Sequence, residues 1–145
     1  MDTIESLQLI NVFDHGVANL DRLGIYVAQP CDLSEYCLLL GIPSVEGGST
    51  PIKDHMLWFG HGFVEEGDWV MVYTASGTTT ITPNHLMKRP NHTPRVINIH
   101  WGKDHTIFQN RAITPLLVRI SGVGTLNPPE PTYQGDPTKD RKRIL

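Results

Sequence analysis

Seven histidines among 145 residues are the part of this chain that invites a chemical reading. His100, Asp104 and His105 bracket Trp101-Gly102-Lys103. A His-x3-Asp-His spacing across a glycine-containing turn can converge on Zn²⁺, which accepts imidazole and carboxylate ligands. The same three residues are the candidates for a small metal-dependent or acid–base enzyme. His55 and His61 fall on one face if the chain between them is a strand. At ~3.3 Å per residue that places them about 20 Å apart, so they meet only if Gly60 turns the chain. Glu65, Glu66 and Asp68 lie near His61, and paired groups of this kind can split their pKa values when buried together. Yet Glu-Glu-Gly-Asp is ordinary tight-turn composition. Gly48-Ser49 and Ala75-Ser76-Gly77 lack the context of an activated serine. Gly47-Gly48-Ser49-Thr50 and Gly60-His61-Gly62 precede no helix, so the anion site of a helix N-terminus is missing. None of these is a strong ligand or catalytic signature. From the sequence we assign no catalytic residue, no metal and no cofactor.

The elements that must position these groups are short strands. Gly67-Asp68-Trp69 to Tyr73, Arg95 to Gly102 and Leu116 to Gly122 are each rich in β-branched or aromatic residues and bounded by Gly, Pro or Asp. Leu7 to Phe13 reads as a strand whose broken alternation implies a bulge. Leu23 to Gln29 alternates and stops at Pro30. Tyr36 to Leu40 has no polar residue to mark a wet face, which predicts a central strand. Gly41 to Thr50 reads as a loop, followed by a strand from about Met56 to Phe59. Ser76 to Thr80 reads as a loop or weak edge strand, and Pro83 to Pro94 as a long exposed loop. No stretch shows a 3.6-residue apolar period. Seven to nine short strands predict an all-β fold, an immunoglobulin-like antiparallel β-sandwich, with a barrel as the alternative.

Thirteen Gly and eleven Pro fit a turn-rich fold. A chain of this length buries a core without disulfides or metal. Residues 1–126 read as a single sandwich domain and residues 127–145 as a Pro-rich extended tail. The net charge of −3 gives no global nucleic-acid footprint. The tail nevertheless ends in a basic cluster of Lys139, Arg141, Lys142 and Arg143, the candidate contact of a nucleic-acid accessory module. No apolar run reaches the ~18–20 residues that span a bilayer, and no basic-then-apolar leader opens the chain. The expectation is a cytoplasmic protein without membrane association, with Cys31 and Cys37 as reduced thiols.

Several landmarks fall in one order. Tyr26-Val27-Ala28-Gln29-Pro30 is followed by Asp32-Leu33-Ser34-Glu35-Tyr36 and an apolar strand. Then come Phe63 to Tyr73, Ile99-His100-Trp101-Gly102, Phe108-Gln109-Asn110 and a strand ending at Gly122. This order resembles the lamin-tail domain over about Leu23 to Gly122, with Glu35 and Glu66 standing where that family has Gly and Pro. The resemblance implies an immunoglobulin-like sandwich and a non-catalytic module of the kind that accompanies nucleases or surface proteins in bacteria. It transfers no active site.

The functional expectation is a binding or assembly module that self-associates through its loops and tail. Trp101 and Lys103, which end a strand, join the four basic tail residues as candidate binding groups. Trp58 and Trp69 are expected in the core.

Overall fold

The computed structural model describes residues 3–84 and 90–132. Ten strands are found among them: β1 (Leu7–Phe13), β2 (Arg22–Val27), β3 (Cys31–Asp32), β4 (Tyr36–Pro43), β5 (Ser49–Trp58), β6 (Phe63–Val64), β7 (Trp69–Tyr73), β8 (Thr80–Pro83), β9 (Arg95–His100) and β10 (Thr114–Arg119). The one 3₁₀ turn among the described residues, Leu33–Glu35, is capped by Asp32, whose carboxylate accepts from the Ser34 N–H at 2.9 Å. The fold is all-β. A five-stranded sheet, β1-β2-β7-β9-β8, lies against a three-stranded sheet, β10-β4-β5, and the two-residue strands β3 and β6 pair beside them.

Alternation explains the layers. Val70 and Val72 of β7 are buried while Trp69, Met71 and Tyr73 are half-buried on the other face. Ile97 and Ile99 of β9 and Leu23, Ile25 and Val27 of β2 join them. From the second sheet β4 contributes Tyr36 and Leu38, with Leu57 and Leu117 packed against the same cluster. A period of two assigns one face of each strand to this core.

One pairing in the large sheet is parallel. The chain leaves β7, lays down β8 one position further out, and returns as β9 between them. β9 therefore runs antiparallel to β8 and parallel to β7, with Val70 opposite Ile97 and Val72 opposite Ile99.

The bulge expected in β1 is present, as a register shift between Leu9 and Asn11. β4 is central, as its unbroken apolarity predicts. Half of the segment expected as a loop from Gly41 to Thr50 is strand: β4 runs on to Pro43 and β5 begins at Ser49, leaving Ser44 to Gly48 as the loop. The two strands form a tight β4–β5 hairpin whose tip uses Gly47 and Gly48, both at positive φ. There the Ser44 N–H bonds to the Gly48 carbonyl at 3.1 Å. Glycine accepts that backbone at no steric cost. β5 consequently begins well before Met56.

Candidate functional site

Two regions bear on function: the polar loops after β9, and the outward face of the small sheet. The loops follow from Asp21, one residue before β2. Its carboxylate is buried and accepts from the Gly16 N–H at 3.0 Å, the Ile107 N–H at 3.1 Å, the Phe108 N–H at 3.2 Å and the Thr74 hydroxyl. Burial pushes its pKa up, and these four hydrogen bonds outweigh burial and hold it below the ordinary carboxylate range. The segment from Trp101 to Phe108 is thereby tied to the end of β2.

Within that segment the expected three-residue convergence does not form. His100, at the end of β9, stacks on Tyr73 with ring centroids 5.0 Å apart and planes 18° from parallel. Its Nδ1 is buried without a hydrogen-bond partner. Asp104 and His105 pair with each other at 2.7 Å, both exposed, and the imidazole beside Asp104 lowers its pKa. Among the described residues no group of three or more His, Cys, Asp and Glu side chains is disposed to hold a metal ion. The reason is rotational: β9's period of two sends His100 against Tyr73, and the Gly102 turn, at φ +87°, carries Asp104 and His105 out toward solvent. The hollow beside them, lined by Asp21, Thr74, Lys103, Asp104 and His105, holds about 80 Å³. Small-molecule sites run to several hundred.

Trp101 and Lys103 act within the molecule. Trp101 is half-buried and packs against the core. The Lys103 ammonium lies 5.7 Å from the Trp101 ring centroid and donates to His55 Nδ1 at 3.2 Å. His55 belongs to an extra loop of β5. Between the Leu39–Met56 and Gly41–Pro51 pairs β4 advances two residues while β5 advances five. Asp54 takes φ +62° there. Lys103 thus ties the β9 loop to the small sheet. His61 meets Trp58 edge to face at 5.0 Å. Lys139, Arg141, Lys142 and Arg143 lie outside the described residues.

Asp68, at the start of β7, is the second buried carboxylate. It accepts from the Arg95 N–H at 2.8 Å, the Arg95 guanidinium at 3.2 Å, the Glu65 N–H at 2.9 Å and His92 Nε2 at 2.9 Å. Here too hydrogen bonds overcome the upward push of burial, and the pKa falls. The Glu-Glu-Gly-Asp turn thus holds one exception to the rule that such acids face water: Asp68 faces inward. It faces partners rather than a cleft.

The second region follows from register. Residues directly opposite on neighbouring strands share a face. Leu116, Leu39 and Met56 form one cross-strand row, and Val118, Cys37 and Trp58 form the next. Both rows point away from the core, because Leu38 and its partners Leu57 and Leu117 point into it. Met56 is 61% exposed and Trp58 44%. Trp58 is therefore not a core residue; its indole N–H reaches the Ser34 carbonyl at 2.8 Å. Cys37, in the middle of the second row, is buried, and burial raises its pKa; both cysteines are free. Sequence reasoning missed this face, although the missing wet face of β4 was its signal.

No family model matches the chain, and no curated protein or solved structure matches it.

Proposed function

We propose that this protein is a non-catalytic assembly module that self-associates, and that its contact surface is the outer face of β10-β4-β5. The observation that carries this is the six-residue apolar face itself. An antiparallel sheet with one wet side alternates apolar and polar residues. Here the outward side of three neighbouring strands presents Leu116, Leu39 and Met56 beside Val118, Cys37 and Trp58, with no charge among them. Contiguous apolar patches rimmed by polar residues are where proteins dock.

The sheet edges argue for the face and against strand addition. Each outer strand carries a feature that blocks pairing: a bulge in β1, Pro83 in β8, Pro115 in β10, and Pro51 with the extra loop in β5. Proline and bulges are how edge strands resist a new neighbour. The order of lamin-tail-like motifs supports the same class of module. The test is the mass of the full chain in solution by light scattering across a hundredfold concentration range. An oligomer that dissociates when Met56→Glu is introduced supports this reading, and a monomer at every concentration overturns it.

A further inference from the structure

Beyond β10 the chain continues as an arm, and the arm matches the face. Ile120 is still tied to the body, its N–H donating to the Glu35 carbonyl. From Ser121 to Thr132 every residue is exposed and none is in a helix or strand. Two of the most exposed large apolar side chains among the described residues are here, Val123 at 76% and Leu126 at 94%. Ile120, Val123, Leu126 and Pro129 recur every third residue. Pro128, Pro129 and Pro131 favour the polyproline II conformation, which has three residues per turn. Ile120 to Leu126 holds no proline of its own; if it takes up the same conformation on docking, the four residues form one apolar stripe. Val123 and Leu126 would then stand about 9 Å apart at ~3.1 Å per residue. The apolar face is two rows deep along its strands and about 10 Å across its three strands at ~4.8 Å spacing, so the two side chains span its width.

The arm leaves from an edge of the same sheet, yet Val123 and Leu126 stand bare, so these two side chains find no cover on their own body. We propose that the outer face of β10-β4-β5 is covered by the Ile120–Thr132 arm of a second copy of this chain. The exchange is reciprocal: each copy gives one arm and receives one, which closes a two-fold dimer. The inference rests on the self-association proposed above and adds the identity of what sits on the face. A face-to-face dimer without the arms is the competing arrangement.

The experiment uses the full chain and two variants, Met56→Glu on the face and Val123→Asp/Leu126→Asp on the arm. Both sets of sites are exposed. The native chain is expected to weigh as a dimer, and each variant alone as a monomer. An equimolar mixture of the two variants is expected to regain a dimer at higher concentration, because the intact arm of the face variant still fits the intact face of the arm variant. A photo-crosslinking residue at Met56 is expected to join, in mixed isotope-labelled and unlabelled chains, to a peptide within residues 120–132 of the other chain. This readout stands even if a variant folds poorly. A native monomer overturns self-association and this inference together. A native dimer that survives both variants leaves self-association standing and overturns the arm exchange. So does an arm variant that remains dimeric while the face variant does not, which is the face-to-face outcome. A crosslink confined to one chain also overturns it.

Discussion

Asp21 and Asp68 stand at opposite ends of the β2–β7 pair, each one residue before its strand, each buried and each serving backbone N–H groups. The arrangement is nearly two-fold. The Thr74 N–H bonds to the Asp21 carbonyl at 3.0 Å and the Val27 N–H to the Asp68 carbonyl at 2.9 Å, so both ends of the ladder close the same way. Each side chain then reaches a different end of the β9 region: Asp68 holds Arg95 at its start, and Asp21 holds Ile107 and Phe108 beyond it. Two carboxylates that resemble catalytic acids are fasteners of the central strands.

The two fasteners differ in what is left behind when they are removed. Asp21→Ala strands the buried Ile107 N–H and Thr74 hydroxyl, together with the part-buried Phe108 and Gly16 N–H groups. Asp68→Ala strands two backbone N–H groups, while His92 and Arg95 are partly exposed and can rehydrate. Buried donors left without partners cost about 1–3 kcal/mol each. Urea denaturation is expected to show a loss of about 3 kcal/mol or more for Asp21→Ala, and a smaller loss for Asp68→Ala. Equal losses would mean that the backbone groups around Asp21 find water after all.

The same carboxylates set the acid limit of the fold. Both have pKa values lowered in the folded state. A lowered pKa contributes stability that is fully present above the unfolded value, about 3.9 for Asp, and that is lost as pH falls through the folded value. Unfolding free energy is therefore expected to depend little on these two groups from pH 7 to about 5 and to fall steeply below 4. The acid limb should be shallower in Asp21→Asn. A limb of unchanged slope in that variant would assign acid unfolding to other groups.

Gly77 tests the His100–Tyr73 stack. A Cβ added there would lie 2.6 Å from His100 Cε1 and Nδ1. The ring is held against Tyr73 and must leave its stack to make room. Overpacking of this kind costs about 1–3 kcal/mol. Gly77→Ala is expected to destabilise the protein by that amount, and most of the loss should vanish when His100→Ala is already present. Simple additivity in the double-mutant cycle would show that the clash is relieved elsewhere.

Asp104 and His105 make the opposite prediction. Both are exposed, so His105→Ala is expected to change stability by less than about 0.5 kcal/mol. Two ligands on an open loop do not close a tetrahedral site. Added Zn²⁺ at micromolar concentration should leave the thermal midpoint unmoved. A metal-dependent rise that disappears in His105→Ala would restore the metal reading of this loop.

The strands were legible because alternation and turn residues are local signals. β7 was legible as a strand, although Trp69, expected in the core, lies with Met71 and Tyr73 on the face away from Val70 and Val72, and the β1 bulge was visible as a break in period. What depends on distant partners was not legible. His100, Asp104 and His105 have the spacing of ligands, but which way His100 points is decided by Tyr73, in a different strand. Trp58 was expected inside, yet Leu57 takes the inward position and the register of β4 turns Trp58 outward. Asp68 looked like a turn acid because nothing in its neighbourhood announces Arg95. The apolar outer face needed three strands to be aligned before it existed as a surface at all.

Cys37 gives that face a spectroscopic reporter. It sits between Val118 and Trp58 in the outer row and is buried, with burial raising its pKa. Thiolate, not thiol, reacts with disulfide reagents, so a buried thiol with a raised pKa reacts slowly at pH 7. Trp58→Ala removes the largest of its two cross-strand neighbours, and its reaction with an aromatic disulfide is then expected to quicken at least tenfold. Cys31→Ser in both backgrounds isolates the signal, since Cys31 is only half-buried. If a second copy covers the row, the native rate must also slow as protein concentration rises, because the dimer adds a layer that the monomer lacks. A rate independent of concentration, in a protein that light scattering shows to be dimeric, would place the dimer contact away from Cys37.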